Sequence, residues 1–451
     1  MISIKTIGAN LLALFFALSF AFAQDFSIPT SWRNSSISRD YDERLSIARN
    51  AFDIMMLAIY HLNMEFDGIG LWQSGNVFGS MANFDYIADS NVYEDIVDEG
   101  LRTSFNIYRY DVWSVSTCLL PVFFRADEVT CIHASTTTTS SGGLQALTTP
   151  TEHTNINHLL YAIAVWLHVS DYIVAPENVR TGIHLKKEFT LAPTCDGVTM
   201  VGGVFWTVDA LQMEINSVTT SLYMTLSAFL AEATGDQQYI DAAVLSAQWI
   251  LNQNINSDDI LLDTVNGHDC QRGQPGDTVL TYNSGKYLEG LSVLADVTGN
   301  GFWRDVMVNI TVATMKGAPW HGSDGIITEG GDPEENTDAV GFKAILIRGL
   351  DEVYTRSATN KPLQRLISRY VDVQYNALLD LAGNDNVYSA SWTGPPQNFT
   401  TWGQLAALDV MVASLNAEGE DRRRIYGDHD QYTWLRRLRR NLGSIWKQED
   451  R

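Results

Sequence analysis

Basic side chains are scarce in this sequence: 30 Lys and Arg stand against 53 Asp and Glu, a net charge of −23. A chain of that sign repels a phosphate backbone, so no nucleic acid partner is expected. The nine histidines never fall at H-x-x-x-H or H-E-x-x-H spacing, which removes the zinc signatures and leaves no metal or cofactor to expect. G-x-S-x-G and a glycine-rich phosphate loop are both missing, so neither a nucleophile-elbow hydrolase nor a nucleotide-phosphate site is indicated. Beyond the N-terminal segment, no apolar run approaches the roughly 18 residues that a membrane-spanning helix requires. Cysteine is sparse as well, with four in the chain.

The one long apolar run is N-terminal. Lys5 precedes the stretch Leu11 to Phe22, and Ala21-Phe22-Ala23 is a small-x-small cleavage site before Gln24. Residues 1–23 therefore read as a secretory signal peptide, and the mature chain as a soluble monomer, extracellular or in the cell wall. Export favours disulfides over free thiols. Four cysteines allow three connectivities. Cys195 and Cys270 flank a central helical hairpin on loops at the same end of its helices, so that pair is expected, with Cys118–Cys131 closing a local loop. Asn34, Asn309 and Asn398 occupy N-x-S/T sequons, the glycosylation acceptors of an exported protein.

What is abundant is apolar helix. Val201 to Asn252 holds a Gly-Gly turn, Trp206, a helix with Leu222, Leu226, Phe229 and Leu230 on one stripe, the stop Thr234-Gly235-Asp236, and a second helix with Tyr239, Ala243 and Ala247 on one face. Gly235 suits the left-handed C′ position and Asp236 an N-cap. Leu294-Ala295-Asp296-Val297-Thr298-Gly299-Asn300 repeats Leu230-Ala231-Glu232-Ala233-Thr234-Gly235-Asp236 64 residues on. One αα-hairpin cannot bury its own apolar face, so recurrent hairpins must pack on one another.

Taken in order, the pattern predicts helices over about 40–62, 77–88, 91–108, 157–174 and 177–189, then the central hairpin and its repeat to about 312, then 337–354, 362–381 and 401–415. Asp67 to Gly79 reads as a loop. Ser114 to His153 has neither helical period nor strand alternation and reads as an irregular insertion; a gene-model artefact would leave the same pattern. Residues 416–451 read as a charged tail, and 24–415 as one domain. Eleven or twelve helices alternating with polar, aromatic loops predict an all-α fold, an (α/α)6 toroid whose inner helices start from one rim.

That rim gathers Trp72, Trp206, Tyr282, Asn283, Trp320, Asp324 and Trp392. Aromatic faces pack on the C–H face of a sugar, and amide or carboxyl groups bind its hydroxyls, so the set suits a saccharide. Glycoside hydrolysis needs two carboxyl groups. The rim candidates are Asp209, Glu214, Asp263, Glu289, Asp324, Glu329 and Asp338, with Glu289 and Asp324 taken as the first catalytic candidates. Asp258-Asp259, the one adjacent Asp pair, reads as a polar turn.

At these residues the chain resembles glycoside hydrolase family 76, the endo-α-1,6-mannanase-like family, especially its secreted fungal members. The matching pieces are Gly202-Gly203 with Trp206, Asn216-Ser217 opening the helix to Gly235-Asp236, Thr281-Tyr282-Asn283-Ser284-Gly285 with the repeated stop, and Trp392-Thr393-Gly394-Pro395-Pro396. The similarity runs from Trp32 to about Leu415 and leaves out 114–153. It implies the toroid, secretion and a mannan-like polysaccharide or oligosaccharide bound by Trp206, Asn216, Tyr282, Asn283 and Trp392. The family's two consecutive Asp precede an apolar-aromatic run; here that run is Leu159-Leu160-Tyr161-Ala162, and Asn155, Ile156, Asn157 and His158 stand before it. No catalytic pair is carried over. Three readings follow: a secreted hydrolase of mannose-containing wall glycans, a glycan-binding or wall-associated protein on the same fold that does not cut, or a structural secreted toroid with no saccharide site.

Overall fold

Twelve α-helices carry almost all the regular structure of the described residues, which are 24–113, 156–273, 278–332 and 336–416 of a computed structural model. They are α1 (Tyr41–Met56), α2 (Leu71–Ala88), α3 (Glu94–Trp113), α4 (Ile156–Ser170), α5 (Pro176–Thr181), α6 (Ser217–Thr234), α7 (Gln237–Gln253), α8 (Thr281–Thr298), α9 (Gly301–Lys316), α10 (Ala339–Arg356), α11 (Lys361–Ala377) and α12 (Thr401–Asn416). Four short antiparallel pairs join loops: β1 (Ile59–Tyr60) with β2 (Glu65–Phe66), β3 (Thr194–Cys195) with β4 (Val198–Thr199), β5 (Glu214–Asn216) with β6 (Thr264–Asn266), and β7 (Gly383–Asn384) with β8 (Val387–Tyr388).

The architecture is the all-α toroid. Inner helices pack side by side, α4 on α6, α6 on α8, α8 on α10, α10 on α12 and α12 on α2, while α7, α9 and α11 pack outside them. Burial separates the two rings. Helix α6 is buried on every side from Ser217 to Ala233, and α12 nearly so, whereas α7 buries only one face. The stripe expected on α6 was therefore too narrow: an inner helix has neighbours all round. Glycine sets the closest approach. A Cβ on Gly349 of α10 would lie 2.0 Å from the Gly285 carbonyl oxygen of α8, so neither position admits a side chain.

The repeated stop is realised twice. Gly235 (φ +76°) and Gly299 (φ +61°) take the left-handed C-cap of α6 and α8, and Asp236 and Asn300 then accept from Gln238 N–H and Phe302 N–H. The acid of the repeat has a further role. Glu232 and Asp296, and Glu352 two residues past Leu350 on α10, all bind one guanidinium, that of Arg356: Glu232 at 2.8 Å, Asp296 at 3.2 Å and Glu352 at 2.5 Å. Three successive inner helices are thus clasped at the end opposite the polar loops.

Two expectations fail. Asp67 to Gly79 is not a loop, because α2 starts at Leu71; its Asn76 and Ser80 face buried Arg348 rather than water. The helix expected at 177–189 stops at Thr181, where Gly182 (φ +71°) turns the chain. Among the described residues no helix is long and apolar enough to cross a membrane. Residues 1–23 expected as a signal, Cys118–Cys131, the whole of 114–153 and the tail beyond Asn416 lie outside the described residues.

The Cys195–Cys270 bridge forms as expected. It ties the β3–β4 hairpin to the loop after β6. Replacing both cysteines by serine is expected to lower stability by about 2–4 kcal/mol, since the bridge spans 75 residues and restricts the unfolded chain. A denaturant midpoint unchanged in the double variant would show the bridge to be energetically idle.

Candidate functional site

The inner helices start from the rim on which the polar, aromatic loops collect. Leu71 and Trp72 of α2, Val218 and Leu222 of α6, Tyr282 of α8 and Ile345 of α10 form an apolar cluster separate from the main core, with Phe342 half-buried on it. Tyr282 stacks on Phe342 with ring centroids 4.0 Å apart and planes 13° off parallel, and Trp72 lies 6.1 Å from Phe342. Four inner helices contribute, so this aromatic floor lies on the axis of the ring.

One carboxylate borders it, at the hydroxyl edge of Tyr282. The β5–β6 pairing sets Asn216 opposite Thr264, which brings Asp263 to the start of α6, where its carbonyl accepts from Ser217 N–H at 2.8 Å. The Asp263 carboxyl is buried. Its Oδ1 accepts from Asn283 Nδ2 at 2.8 Å, the Tyr282 hydroxyl at 2.9 Å and Asn216 Nδ2 at 3.4 Å. All three donors converge on the same oxygen, and Oδ2 has no hydrogen-bond partner among the described residues. Burial raises the Asp263 carboxyl above the usual carboxylate range, and the bonds from Asn283, Tyr282 and Asn216 offset part of that rise. Burial and the neighbouring carboxylate push the Tyr282 phenol far up, so it stays a donor.

A second carboxyl group, Glu329, reaches the first turn of α8 from the loop before α10. Its Oε1 accepts from Thr281 N–H at 3.0 Å and its Oε2 from the Thr281 hydroxyl. Burial pushes Glu329 up to about 7, against the opposing bonds from Thr281 and the charge of Lys343. Lys343 is fully buried, donates to the Glu329 carbonyl at 3.0 Å and to the Ala390 carbonyl, and lies 4.9 Å over the Trp392 ring. Burial lowers it to about 7, against the pull of Glu329.

The structure sorts the predicted residues. Asn216, Tyr282 and Asn283 do meet, but their polar groups are turned on Asp263. Trp206 is half-exposed on the bridge between Phe205 and Ile215, beside the strand that ends in Asn216. Trp392 is wholly buried, so its ring has no face for a sugar; the rigid loop that suggested stacking tucks the indole under Lys343. Glu289 is not on the rim. It lies more than two turns into α8, buried, with Lys286 Nζ at 2.6 Å, because an inner helix carries its interior residues down the axis. Asp324 lies in the loop between α9 and α10, where its carbonyl accepts from Arg33 N–H and its Oδ1 from Ile326 N–H. Asp338 accepts from Gln73 Nε2 at 2.5 Å. Asp258 and Asp259 form an exposed turn. Asn34 and Asn398 are exposed, while Asn309 is half-buried on α9 and bonded to Gln24.

Sequence reasoning listed Asp263 and Glu329 without preferring them, and missed Thr281 and Lys343. A signal for Lys343 was present: a lone cation inside the apolar run Val340 to Leu346. Among the described residues no group of His, Cys, Asp and Glu is placed to hold a metal.

Comparison with known proteins bears on the family and the fold. The model of the family described as glycosyl hydrolase family 76 matches residues 188–425. The mannan endo-1,6-alpha-mannosidase DCW1 of Saccharomyces cerevisiae is 25% identical over 252 residues, 52% of this chain and 55% of that protein, so the chain spans about half the length of the curated relative it matches. An inactive variant of the α-1,6-mannanase of Salegentibacter sp. HEL1_6, with two consecutive aspartates replaced and alpha-1,6-mannotetrose bound, superposes with a TM-score of 0.67 at 14% identity, covering 84% of this chain and 100% of that one. Dfg5 from Chaetomium thermophilum, in complex with glucosamine, gives 0.62 at 16% identity over 86% and 93%. At these identities the structural likenesses establish the fold.

Proposed function

The chain belongs to glycosyl hydrolase family 76, and from that premise we propose that it is a secreted protein acting on mannose-containing, α-1,6-mannan-like cell-wall glycans, with Asp263 the carboxylate that meets the sugar. The observation that carries the reading is the asymmetry at Asp263. Asn216 at the N-cap of α6 and Tyr282 and Asn283 of α8 hold Oδ1, and Oδ2 has no partner among the described residues, beside the aromatic cluster to which Tyr282 belongs. A sugar hydroxyl needs such an acceptor, and an apolar ring face needs such a floor. The relatives named as mannan enzymes support the same substrate class.

A second reading is favoured by one feature. No Asp pair stands before Leu159-Leu160-Tyr161-Ala162, and Asn157 cannot serve as general acid or nucleophile near neutral pH. On that reading the protein binds mannan without cleaving it. Incubation with α-1,6-mannan and assay of new reducing ends separates the two: release of ends supports the enzyme, and binding without release supports the binder. Trp206→Ala is expected to weaken mannan binding about tenfold, a stacking contact of roughly 1.4 kcal/mol; because the half-buried indole also packs on the main core, the melting temperature falls too, and binding is compared well below the unfolding transition. Affinity electrophoresis in mannan gels checks it, and undiminished retardation would remove Trp206 from the site.

A further inference from the structure

Two of the three donors that hold Asp263, Tyr282 and Asn283, stand on a helix that does not cap itself. The N-cap residue of α8 is Leu280, which has no side-chain acceptor. The first helical amide is satisfied from another loop: Glu329 Oε1 accepts from Thr281 N–H at 3.0 Å and Oε2 from the Thr281 hydroxyl. A carboxylate there also opposes the positive end of the helix dipole. The next two residues of the same turn, Tyr282 and Asn283, donate to Asp263 at 2.9 and 2.8 Å. The Glu329 segment is in turn held by Lys343, which bonds the Glu329 and Ala390 carbonyls and covers Trp392. Three rim segments therefore meet on two side chains.

We propose that Glu329 is the positioning residue of this site: by capping α8 through Thr281 it fixes the turn that presents Tyr282 and Asn283 to Asp263, and Lys343 couples that cap to the Trp392 loop. The proposal rests on the reading of Asp263 as the sugar-contacting carboxylate and does not require Glu329 to touch the ligand. It also accounts for Trp392, a residue that suggested sugar stacking in the sequence and instead backs the lysine that secures the cap.

The cap depends on charge. Ionised Glu329 offers acceptors on both oxygens; protonated, one oxygen becomes a donor and the Thr281 hydroxyl must turn round. The titratable groups facing Glu329 are Lys343 on α10, Tyr282 on α8 and Tyr370 on α11. Burial raises both phenols, so they remain neutral. Glu329 ionises as the pH rises through about 7, so the complete cap lies on the alkaline side. Lys343 loses its proton over the same range, but the neutral amine keeps N–H donors for both carbonyls. Glycan affinity controlled by the cap therefore rises with pH.

The test is calorimetric binding of α-1,6-mannotetraose on either side of about pH 7, for the wild type, Glu329→Gln and Thr281→Val, with crystal structures of the wild type and Glu329→Gln at both pH values. The wild type is expected to bind about tenfold tighter on the alkaline side, roughly what one charge-assisted contact supplies. Both variants are expected to stay at the acid-side affinity at every pH, with the Tyr282–Asp263 contact lengthened beyond hydrogen-bond range. A Glu329→Gln protein that retains the pH step overturns the proposal, as does one that binds weakly with both bonds to Asp263 intact, since Glu329 would then act on the ligand directly. If the wild type does not bind the tetraose, the glycan reading falls, and the crystal structures still decide the positioning: displaced Tyr282 and Asn283 support it, and unmoved ones sink it.

Discussion

Asp263→Asn is expected to cut α-1,6-mannan binding by about 10- to 100-fold, the range for losing a hydrogen bond to a charged group, and to lower any hydrolysis at least as far. The substitution isolates charge from shape. An amide oxygen in place of Oδ1 still accepts from Asn283, Tyr282 and Asn216, so the turn and the aromatic floor are retained. What changes is Oδ2, which becomes a neutral donor where a sugar hydroxyl would have met an acceptor. Stability should move the other way. Burial disfavours the ionised carboxyl, so removing its charge relieves a desolvation cost, and the melting temperature should hold or rise. Better stability with worse function is the mark of a residue kept for its site. Binding isotherms with parallel thermal unfolding check both halves; wild-type affinity in Asp263→Asn would remove Asp263 from the sugar site.

Arg348→Met is expected to destabilise the fold by about 3–5 kcal/mol, the range for breaking a buried ion pair from one side. Arg348 is nearly inaccessible. It binds Asp409 through Nε at 3.1 Å and Nη2 at 2.9 Å, and reaches the Asn76 amide oxygen at 2.8 Å and the Ser80 hydroxyl at 3.0 Å. Helices α2, α10 and α12 therefore share one guanidinium. Removing it leaves Asp409 buried without its cation, and Asn76 and Ser80 without their donor. The companion variant Arg348→Met with Asp409→Leu should recover most of the loss, because two apolar groups replace two charges and no ion is stranded. Chemical denaturation of the wild type, the single and the double variant measures this. A single variant within about 1 kcal/mol of wild type would mean that solvent or the nearby Lys286–Glu289 pair absorbs the change.

The two halves of the molecule differed in how far they were legible. The stop Thr234-Gly235-Asp236 and its repeat are local: a left-handed glycine and a capping carboxylate or amide act within a few residues, and both copies fold as their sequence implies. The bridge Cys195–Cys270 was readable because four cysteines leave few choices and this pair flanks one helical hairpin. The site was not local. Asp263 looked like one of several rim acids, since nothing along the chain shows that Asn216, Tyr282 and Asn283, separated from it by up to 47 residues, donate to the same oxygen. Glu289 looked like a rim acid for the converse reason: its distance below the start of α8 is invisible until that start is known.

The sequence alone determined the fold class, the helical hairpin unit with its caps and repeat, the family and the disulfide. The family is read from the resemblance carried by motifs such as Asn216-Ser217, Thr281–Gly285 and Trp392–Pro396; the rest follow from periodicity, turn chemistry and composition, which act over one or two helical turns or over the chain as a whole. Only the tertiary structure decided which carboxylate borders the aromatic floor, which one caps a helix, and which lie buried against lysine or arginine. A carboxyl group's role depends on its desolvation and on donors brought from other helices, and those are properties of the packed ring.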